Sequence, residues 1–253
     1  MIKFLYGFII LVLSWPLLAD PRGEEIARRN INLAEANDSH SLMVMVLVDR
    51  QNRKKMRKLD YYAKKTENGT NTFIRFLEPA DLKGTSFLTI GYEKGDDEQR
   101  LYLPSLGKAR RISSSNKGGK FMGSDLYFFD LEDRGFDDSD YEYLKDDIYN
   151  DMSCHLVATY PKDKDAPYSK QILWINKDNW FAYKIESFDK KRKDRMIKTI
   201  VMLDVKDYNG VLIPEKIVVD NHKDNHKTLL QRQDIKVNVG LKDDIFTVQN
   251  LTK

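Results

Sequence analysis

The chain has 253 residues, of which 32% are charged and 11% are aromatic, and its formal net charge is +3. This composition is typical of a globular protein with many solvated side chains, and so small a net charge gives no reason to expect a nucleic-acid-binding protein. The only cysteine, Cys154, excludes an intrachain disulfide, and its apolar neighbours favour a buried small side chain over a nucleophile.

Residues 1–19 have the pattern of a secretory signal peptide. A lysine precedes the apolar run from Phe4 to Leu13, and the small residue Ala19 ends the segment. The run is short for a membrane span, although an uncleaved anchor is the alternative. Because no cysteine stands at the cleavage site to be acylated, we expect residues 20–253 to form one soluble periplasmic domain without a lipid anchor.

A helix is predicted next, from Asp20 to about Asn37. Asp20 and Pro21 are typical of an N-cap and a first helical position. The apolar stripe of this helix is narrow, as in a helix that lies across a surface. The stripe consists of Ile26, Ala27, Leu33 and Ala34.

From Ser41 onward the apolar period is that of β-strands. The segment Leu42–Val48 is apolar at every position, which predicts a strand covered on both faces. The strands predicted after it are Lys58–Lys65, Asn71–Leu77, Thr85–Glu93 and Gln99–Leu103. The acidic region Asp137–Asp151 is expected to be a short helix or an irregular crossing. The strands predicted for the rest of the chain are Cys154–Tyr160, Ser169–Asn176, Trp180–Phe188, Met196–Val205, Val211–Asp220 and Lys227–Val239.

Alternation along these strands predicts which side chains share a face. In Met196–Val205 the alternate apolar positions lie opposite Lys198, and in the last strand Arg232 falls on the charged face. A sheet with one apolar face must curl over or be covered, and two helices are too few to fill it, so a cavity is predicted. Its expected lining is Phe76, Phe87, Trp174, Tyr183, Ile197, Val201, Leu203 and Val237.

The stretch Leu101–Asp133 carries the most varied chemistry in the chain. A strand that ends at Pro104 is followed by a basic turn, a flexible arm rich in glycine and serine, and a second strand. An apolar pair in such an arm is expected to dock against another surface. The alternatives are a surface loop that caps the core and a hinged lid over the cavity. The lid residues would be Gly118, Gly119, Phe121, Met122 and Gly123.

Two arginines, Arg110 and Arg111, lie at the start of this arm. They are candidate rim contacts for an anionic head group or a membrane-embedded partner, and the alternative is a solvated turn. A phosphate-binding Walker loop is excluded, because Phe121 rather than Ser or Thr follows Lys120.

Catalytic and metal-binding patterns are missing from the sequence. It contains no Gly-x-Ser-x-Gly nucleophile elbow, and His222 and His226 flank a predicted hairpin tip, where surface histidines are favoured over a metal site. We therefore expect no catalytic residues, no metal and no cofactor, and a protein that is not an enzyme.

The run RFLEPADLKG from Arg75 to Gly84, followed by the stretch Leu101–Asp133, resembles the LolA-like outer-membrane lipoprotein-sorting proteins, in the branch often associated with RND-type exporters. The resemblance implies a mainly β fold, in which an unclosed, strongly curved antiparallel sheet (a half-barrel) has a few helices over its mouth. It also implies a periplasmic carrier that holds acyl chains of a lipoprotein or lipid in an apolar cavity and transfers them between the inner and outer membranes.

The resemblance further implies the partners. These are a lipoprotein or lipid cargo, together with an RND-type membrane transporter or an outer-membrane acceptor. The alternative function is a non-enzymatic adaptor or scaffold subunit of an RND-type export complex, which would use the same curved sheet to bind a protein. A lipid hydrolase is a third possibility, which the missing nucleophile disfavours.

Overall fold

The computed structural model describes residues 20–92 and 95–253, so the predicted signal peptide lies outside the described residues. Thirteen strands account for most of the described chain. They are β1 (Asp38–Val48), β2 (Lys54–Thr66), β3 (Gly69–Glu78), β4 (Ser86–Ile90), β5 (Glu98–Leu103), β6 (Lys108–Arg111), β7 (Ser139–Tyr149), β8 (Met152–Pro161), β9 (Tyr168–Asn176), β10 (Ala182–Asp189), β11 (Met196–Tyr208), β12 (Val211–Asn221) and β13 (His226–Val237).

All thirteen strands belong to one antiparallel sheet, in the order β6-β5-β4-β3-β2-β1-β13-β12-β11-β10-β9-β8-β7. The strand β1 pairs with both β2 and β13, so the first and the last described strands are neighbours in the middle of the sheet. The described strands β6 and β7 form its two edges, and the sheet is not closed. The predicted fold, an open and curved antiparallel sheet with a few helices, is confirmed.

The described residues contain two α-helices beside the sheet, α1 (Pro21–Ile31) and α2 (Val248–Leu251). The predicted cap of α1 is confirmed, since the Asp20 carboxylate accepts the N–H of Arg22 at 3.1 Å. The prediction that α1 reaches Asn37 is wrong. The Asn37 N–H donates to the Asn238 side chain at 2.8 Å and its C=O accepts from Lys65 at 2.9 Å, so this backbone already belongs to the sheet.

The acidic region after Asp137 forms the edge strand β7 rather than a helix or an irregular crossing. Its side chains alternate, with Tyr141 buried while Asp140 and Glu142 are exposed. Charged side chains on an edge strand hinder pairing with another molecule, which explains why an acidic sequence can form a strand here. The many acidic residues of this segment hid its alternation from the sequence analysis.

The stretch after β5 also differs from its prediction. Its basic residues belong to the edge strand β6 rather than to a turn. The predicted second strand is replaced by a short 3-10 turn, Phe128–Leu131, which follows an isolated bridge between Lys120 and Tyr127. We call residues 112–134 the arm.

The two faces of the sheet are covered differently. The arm and α1 lie against the concave face. On the convex face, the C-terminal residues Phe246 and Leu251 pack on Phe73 of β3 and Leu88 of β4. Among the described residues, no helix has the length and hydrophobicity that a membrane span requires.

Candidate functional site

A cavity of about 740 Å³ lies between the concave face of the sheet, α1 and the arm. The strands contribute mainly aliphatic and methionine side chains to its wall. Examples from six different strands are Met45, Leu59, Ile74, Ile175, Met202 and Leu230. The period of two explains how so many strands contribute, because every second residue of each strand points to the concave face.

The strand β1 shows this geometry most clearly. Met43 and Met45 line the cavity, whereas Val44, Val46 and Val48 lie on the convex face and are half-buried. The prediction that this strand is covered on both faces is therefore wrong. A run that is apolar at every position indicates two apolar faces, but it does not show that both are covered.

The helix α1 covers one end of the cavity. Ile26 and Ala27 pack against Tyr141 of β7 and Val157 of β8. The helix approaches β7 closely at Gly23, where a Cβ atom would lie 2.6 Å from the backbone nitrogen of Tyr143. Only glycine permits this approach.

Side chains of α1 add polar contacts at its surface. The Asn30 amide donates to the Trp180 carbonyl at 2.8 Å. The Arg22 guanidinium carbon lies 3.5 Å from the ring centroid of Tyr143, and that of Arg29 lies 4.5 Å from the Trp180 ring. These cation–π contacts are partly exposed, where each contributes roughly 0.5–1 kcal/mol.

The arm covers the other end of the cavity, and Phe121 is its apolar centre. This side chain is 1% exposed, lines the cavity wall and packs between Phe76, Phe87 and Phe128, with ring centroids 6.0, 5.1 and 6.0 Å away. The docking expected for the apolar pair is therefore present for Phe121. Met122 has a φ of 49°, and its carbonyl accepts a hydrogen bond from Arg57 at 2.5 Å.

A buried ionic cluster fixes the arm to the sheet at Asp130. The Lys198 ammonium donates to Asp130 at 2.7 Å and to the Tyr168 hydroxyl at 2.6 Å, and that hydroxyl donates to Asp130 at 2.7 Å. The Lys198 side chain is 1% exposed. Burial lowers the pKa of Lys198, while Asp130 opposes this shift and favours the ammonium. The prediction that Lys198 lies on a solvated face is wrong, because Asp130 compensates its charge in the interior.

A second cluster surrounds Lys117. Its ammonium lies 2.9 Å from Asp96, 3.0 Å from Glu132 and 3.1 Å from Asp163. Burial opposes charge on this lysine, but the three neighbouring carboxylates raise its pKa above the usual lysine value. Burial also raises the pKa of Glu132 to about 7.

Asp97 holds the same end of the arm through backbone contacts. Its carboxylate accepts the N–H of Asp133 at 2.7 Å and the N–H of Tyr92 at 3.2 Å. Burial raises the pKa of Asp97 to about 6, although the two N–H groups oppose the shift.

A third cluster lies at Asp125, which is fully buried. Its carboxylate accepts from the Thr228 hydroxyl at 2.8 Å and from the Asn221 amide at 3.0 Å, and it lies 2.6 Å from Nδ1 of His226. His226 thus contributes to holding the arm. Among the described residues, no group of three or more His, Cys, Asp or Glu side chains is placed to hold a metal ion.

The eight residues predicted to line the cavity all belong to the described chain, and none of them is among the residues that surround it. Phe76 and Phe87 come nearest. Phe76 is the cross-strand partner of the lining residue Leu59, but the arm covers both phenylalanines. Ile197 is buried in a separate cluster with Tyr168.

Trp174 and Val201 lie on the convex face. Both are direct cross-strand partners of Lys184, whose ammonium lies 4.0 Å from the Trp174 ring centroid. In β11 the cavity is lined by Ile200 and Met202 instead. The assignment of Val201 to the cavity is wrong because both faces of β11 carry apolar residues, and alternation cannot tell which of the two faces is concave.

The other three residues lie at the margins of the sheet. Leu203 is 36% exposed on the same face as Val201. The Tyr183 hydroxyl accepts a hydrogen bond from Asn179 at 3.0 Å. Val237 pairs with Ser39 near the end of β13.

Several charged residues surround the cavity, and sequence reasoning assigned one of them, Arg232, to the opposite face of its strand. The pairing of β1 with β13 shifts by one residue between His40 and Leu42, so β13 holds an extra residue there. Strict alternation across this irregularity placed Arg232 on the solvated face, whereas the structure places it in the cavity wall with Leu230. No local signal in the sequence marks the extra residue.

Arg110 and Arg111 are exposed on the edge strand β6. Neither is among the residues that surround the cavity. Their predicted role at a rim stays a prediction. The buried state expected for Cys154 is confirmed, since that side chain is fully buried in β8.

Known proteins share the sequence and the fold of this chain to different degrees. A family model described as "uncharacterized protein" matches residues 68–253. No curated protein matches the sequence. Among solved structures, a domain assigned as an outer membrane lipoprotein-sorting protein from Vibrio parahaemolyticus has a TM-score of 0.87 and 30% sequence identity, over 92% of this chain and 99% of that one.

Two further structures share the fold. A DUF1329 family protein from Desulfovibrio piger has a TM-score of 0.86 and 27% identity, over 91% of this chain and 98% of that one. A LolA superfamily protein from Nitrosomonas europaea has a TM-score of 0.71 and 20% identity, over 90% of this chain and 98% of that one.

Proposed function

The chain belongs to the LolA-like family of outer-membrane lipoprotein-sorting proteins, and from this premise we propose that it is a non-enzymatic periplasmic carrier. In this proposal residues 1–19 direct export, and residues 20–253 form one domain. The domain binds acyl chains of a lipoprotein or lipid in its cavity and transfers them between the inner and outer membranes.

The observation that carries the proposal is the cavity itself. Its volume of about 740 Å³ and its aliphatic and methionine wall suit an acyl chain. Each methylene that leaves water for such a wall gains about 0.8 kcal/mol, so a long acyl chain needs a protein to cross an aqueous compartment. Flexible methionine side chains adapt to chains of different shape.

Transfer requires a donor and an acceptor. We propose an RND-type membrane transporter or an outer-membrane acceptor in these roles. A bound chain must also leave, which requires that one cover of the cavity opens. The arm and α1 are the two candidates, because each closes one end of the concave face.

A second candidate function is an adaptor subunit of an RND-type export complex. The convex face favours it, since Met56, Leu203 and Leu229 are exposed there by 58%, 36% and 39%. Leu229 and Met56 are both cross-strand partners of Val46, so these apolar side chains are close neighbours. Clustered apolar side chains in water are typical of a surface that binds a protein.

Two neighbouring residues of β11 provide the test. Met202→Arg places a charge in the cavity wall, and Val201→Arg places the same charge on the convex face. We expect folded Met202→Arg to lose binding of a long-chain alcohol such as hexadecanol, because an unpaired charge disfavours an apolar ligand. Val201→Arg is the matched control and keeps it. Equal binding by both variants would contradict the carrier.

Native mass spectrometry of protein purified from periplasm separates the two candidate functions. A lipid or acylated peptide that co-purifies supports the carrier. A ligand-free chain with a tightly bound protein partner supports the adaptor, and Val201→Arg should then weaken that complex while Met202→Arg leaves it intact.

A further inference from the structure

Of the basic side chains that surround the cavity, Arg232 lies among apolar residues of its wall. Arg232 of β13 is the direct cross-strand partner of Met43 of β1, and both residues line the cavity together with Leu230. The Arg232 guanidinium carbon lies 5.1 Å from the ring centroid of Tyr61, another lining residue. The tyrosine ring provides a cation–π contact but no hydrogen-bond acceptor along the N–H directions.

The Arg232 side chain is half-buried, and one of its nitrogen atoms is buried without a partner among the described residues. Among residues 20–92 and 95–253, the Nε atom of Arg232 is buried without any hydrogen-bond acceptor. Within the same residues, no carboxylate oxygen lies within 4.0 Å of its nitrogen atoms. Arg57, in contrast, donates to the carbonyl of Met122 in the arm. Buried polar groups are normally satisfied, so the free Nε donor is available to an acceptor group of a ligand.

A second unsatisfied group lies nearby on the neighbouring strand. Ser41 of β1 is 3% exposed, and its hydroxyl has no hydrogen-bond partner in the described part of the chain. Ser41 is the direct cross-strand partner of Tyr61, so it points to the same face of the sheet as that lining residue. It also precedes Met43, the partner of Arg232, by two positions, and residues two apart in a strand share a face. Ser41 therefore places a second unsatisfied polar group on the face of the sheet that carries Arg232.

We propose that Arg232 is a head-group site inside the cavity, and that the natural cargo is an anionic amphiphile. Its carboxylate or phosphate accepts hydrogen bonds from the guanidinium, and its alkyl chain lies along Met43, Leu230 and the neighbouring aliphatic wall. A guanidinium presents a planar fork of N–H donors that fits both oxyanions. This inference rests on the proposed carrier function and narrows it, because an uncharged acyl ester offers Nε only a neutral carbonyl acceptor, whereas an oxyanion also supplies the opposite charge.

The test compares three amphiphiles that carry the same alkyl chain. Hexadecanoate, hexadecyl phosphate and hexadecanol are titrated into the purified protein below their micelle concentrations, with displacement of a fluorescent alkyl probe as the readout. We expect the protein to bind at least one of the two anions about tenfold or more tightly than the alcohol, since a charge-assisted hydrogen bond discriminates to that extent. Tighter binding of hexadecanoate indicates a fatty acid as the source of the oxyanion, and tighter binding of hexadecyl phosphate indicates a phosphorylated lipid.

Variants of Arg232 assign the preference to the residue. Arg232→Gln should abolish the preference for the anion while the affinity for hexadecanol stays within about twofold. Arg232→Lys keeps the charge and should retain part of the preference. Arg53→Gln is the matched control, because Arg53 lies 76% exposed beside Asp49, outside the cavity wall, and should bind all three ligands like the unaltered protein. Thermal unfolding of each variant identifies any loss of folding.

Three results would overturn the proposal. Equal affinities for anions and alcohol in the unaltered protein would show that the cavity does not distinguish charged from neutral head groups. If Arg232→Gln still binds the anions more tightly than the alcohol, the head group binds at another residue. In both cases the carrier function stands, because hexadecanol still binds. Failure of all three amphiphiles to bind would overturn this inference and the proposed carrier together.

Discussion

The two covers of the cavity, the arm and α1, are held in place by different kinds of interaction. The arm is fixed by ionic groups inside the protein: the side chains of Lys198, Lys117 and Asp125 are 1%, 5% and 0% exposed. The ion pair between α1 and the sheet joins Arg22 and Asp146 at 3.7 Å, and those side chains are 54% and 46% exposed. Exposed pairs contribute little to stability, whereas loss of one partner from a buried pair is strongly destabilising.

From this difference we predict that α1 opens more easily than the arm. The predicted hinge of the arm is already engaged, because Gly119 donates to the Asn116 carbonyl at 2.8 Å and accepts from Phe128 at 3.0 Å. Gly123, with a φ of 74°, does adopt a conformation that favours glycine. Movement of Phe121 and Met122 as a lid stays a prediction, which the experiments below compare with movement of α1.

Removal of the buried lysine tests the comparison most strongly. Lys198→Met leaves Asp130 with an uncompensated charge, so we expect the free energy of unfolding to fall by about 3–5 kcal/mol in urea titrations. Lys206→Met is the control on the same strand, because Lys206 pairs with Glu215 at the surface and is 61% exposed. Its expected cost is below about 1 kcal/mol. Similar losses in both variants would show that the arm is not held by its buried cluster.

Hydrogen exchange compares the two covers directly. The amides of α1 from Ala27 to Ile31 should open at a free energy about 2 kcal/mol or more below that of the arm amides of Phe128 and Phe129. Those two arm amides donate to the carbonyls of Gly119 and Lys117. Addition of hexadecanol should raise the protection of α1 and leave the arm unchanged.

The opposite result of this experiment would reverse the roles of the covers. If residues 113–124 change protection with ligand while α1 does not, the arm is the lid. Phe121→Ala should then raise the affinity for a small lipid and slow its release, because that side chain competes with the ligand for the cavity wall.

The pH dependence of stability tests the end of the arm at Asp97. The pKa of Asp97 in the folded protein is about 6, above the 3.8 of an unperturbed aspartate, so the folded state binds the proton more tightly. Its contribution to stability is therefore present below pH 4 and is lost as the pH rises to about 6. Because the site keeps some access to solvent, we expect a loss of about 1–2 kcal/mol over this range.

The measurement is urea unfolding between pH 4 and pH 7 for the unaltered protein and for Asp97→Asn. The variant cannot titrate at this position, so the difference in stability between the two proteins should change with pH in favour of the variant. A difference that is constant across the range would show that Asp97 titrates normally.

The smallest effect is expected at the edge strand that leads into the arm. Replacement of Arg110 and Arg111 by Gln should change the free energy of unfolding by less than about 0.5 kcal/mol, because both side chains are exposed. If these residues meet an anionic membrane or partner, the double variant should transfer cargo to anionic vesicles more slowly and with less dependence on salt. Identical transfer by both proteins at every salt concentration would leave them as solvated side chains.

Much of the fold follows from local pattern in the sequence. Runs with a period of two predicted every strand after Met152 to within a few residues, because alternation and β-branched side chains act locally. The N-cap of α1 at Asp20 was also predictable, because it depends only on neighbouring residues. The acidic strand β7 was missed because its charges obscured an alternation in which only Tyr141 is buried.

The tertiary structure determines which side chains lie inside the protein. The sequence places Ile200 and Val201 on opposite faces of β11, but only the curvature of the whole sheet determines that Ile200 faces the cavity. Lys198 can be buried because it meets Asp130, which lies 68 positions earlier in the chain. Arg232 enters the cavity because an extra residue in β13 shifts its pairing with β1. Alternation is a pattern of a few consecutive residues, whereas curvature, ionic partners and register arise between segments far apart in the sequence. The amino-acid sequence therefore predicts the sheet. Only the tertiary structure decides which side chains line the cavity.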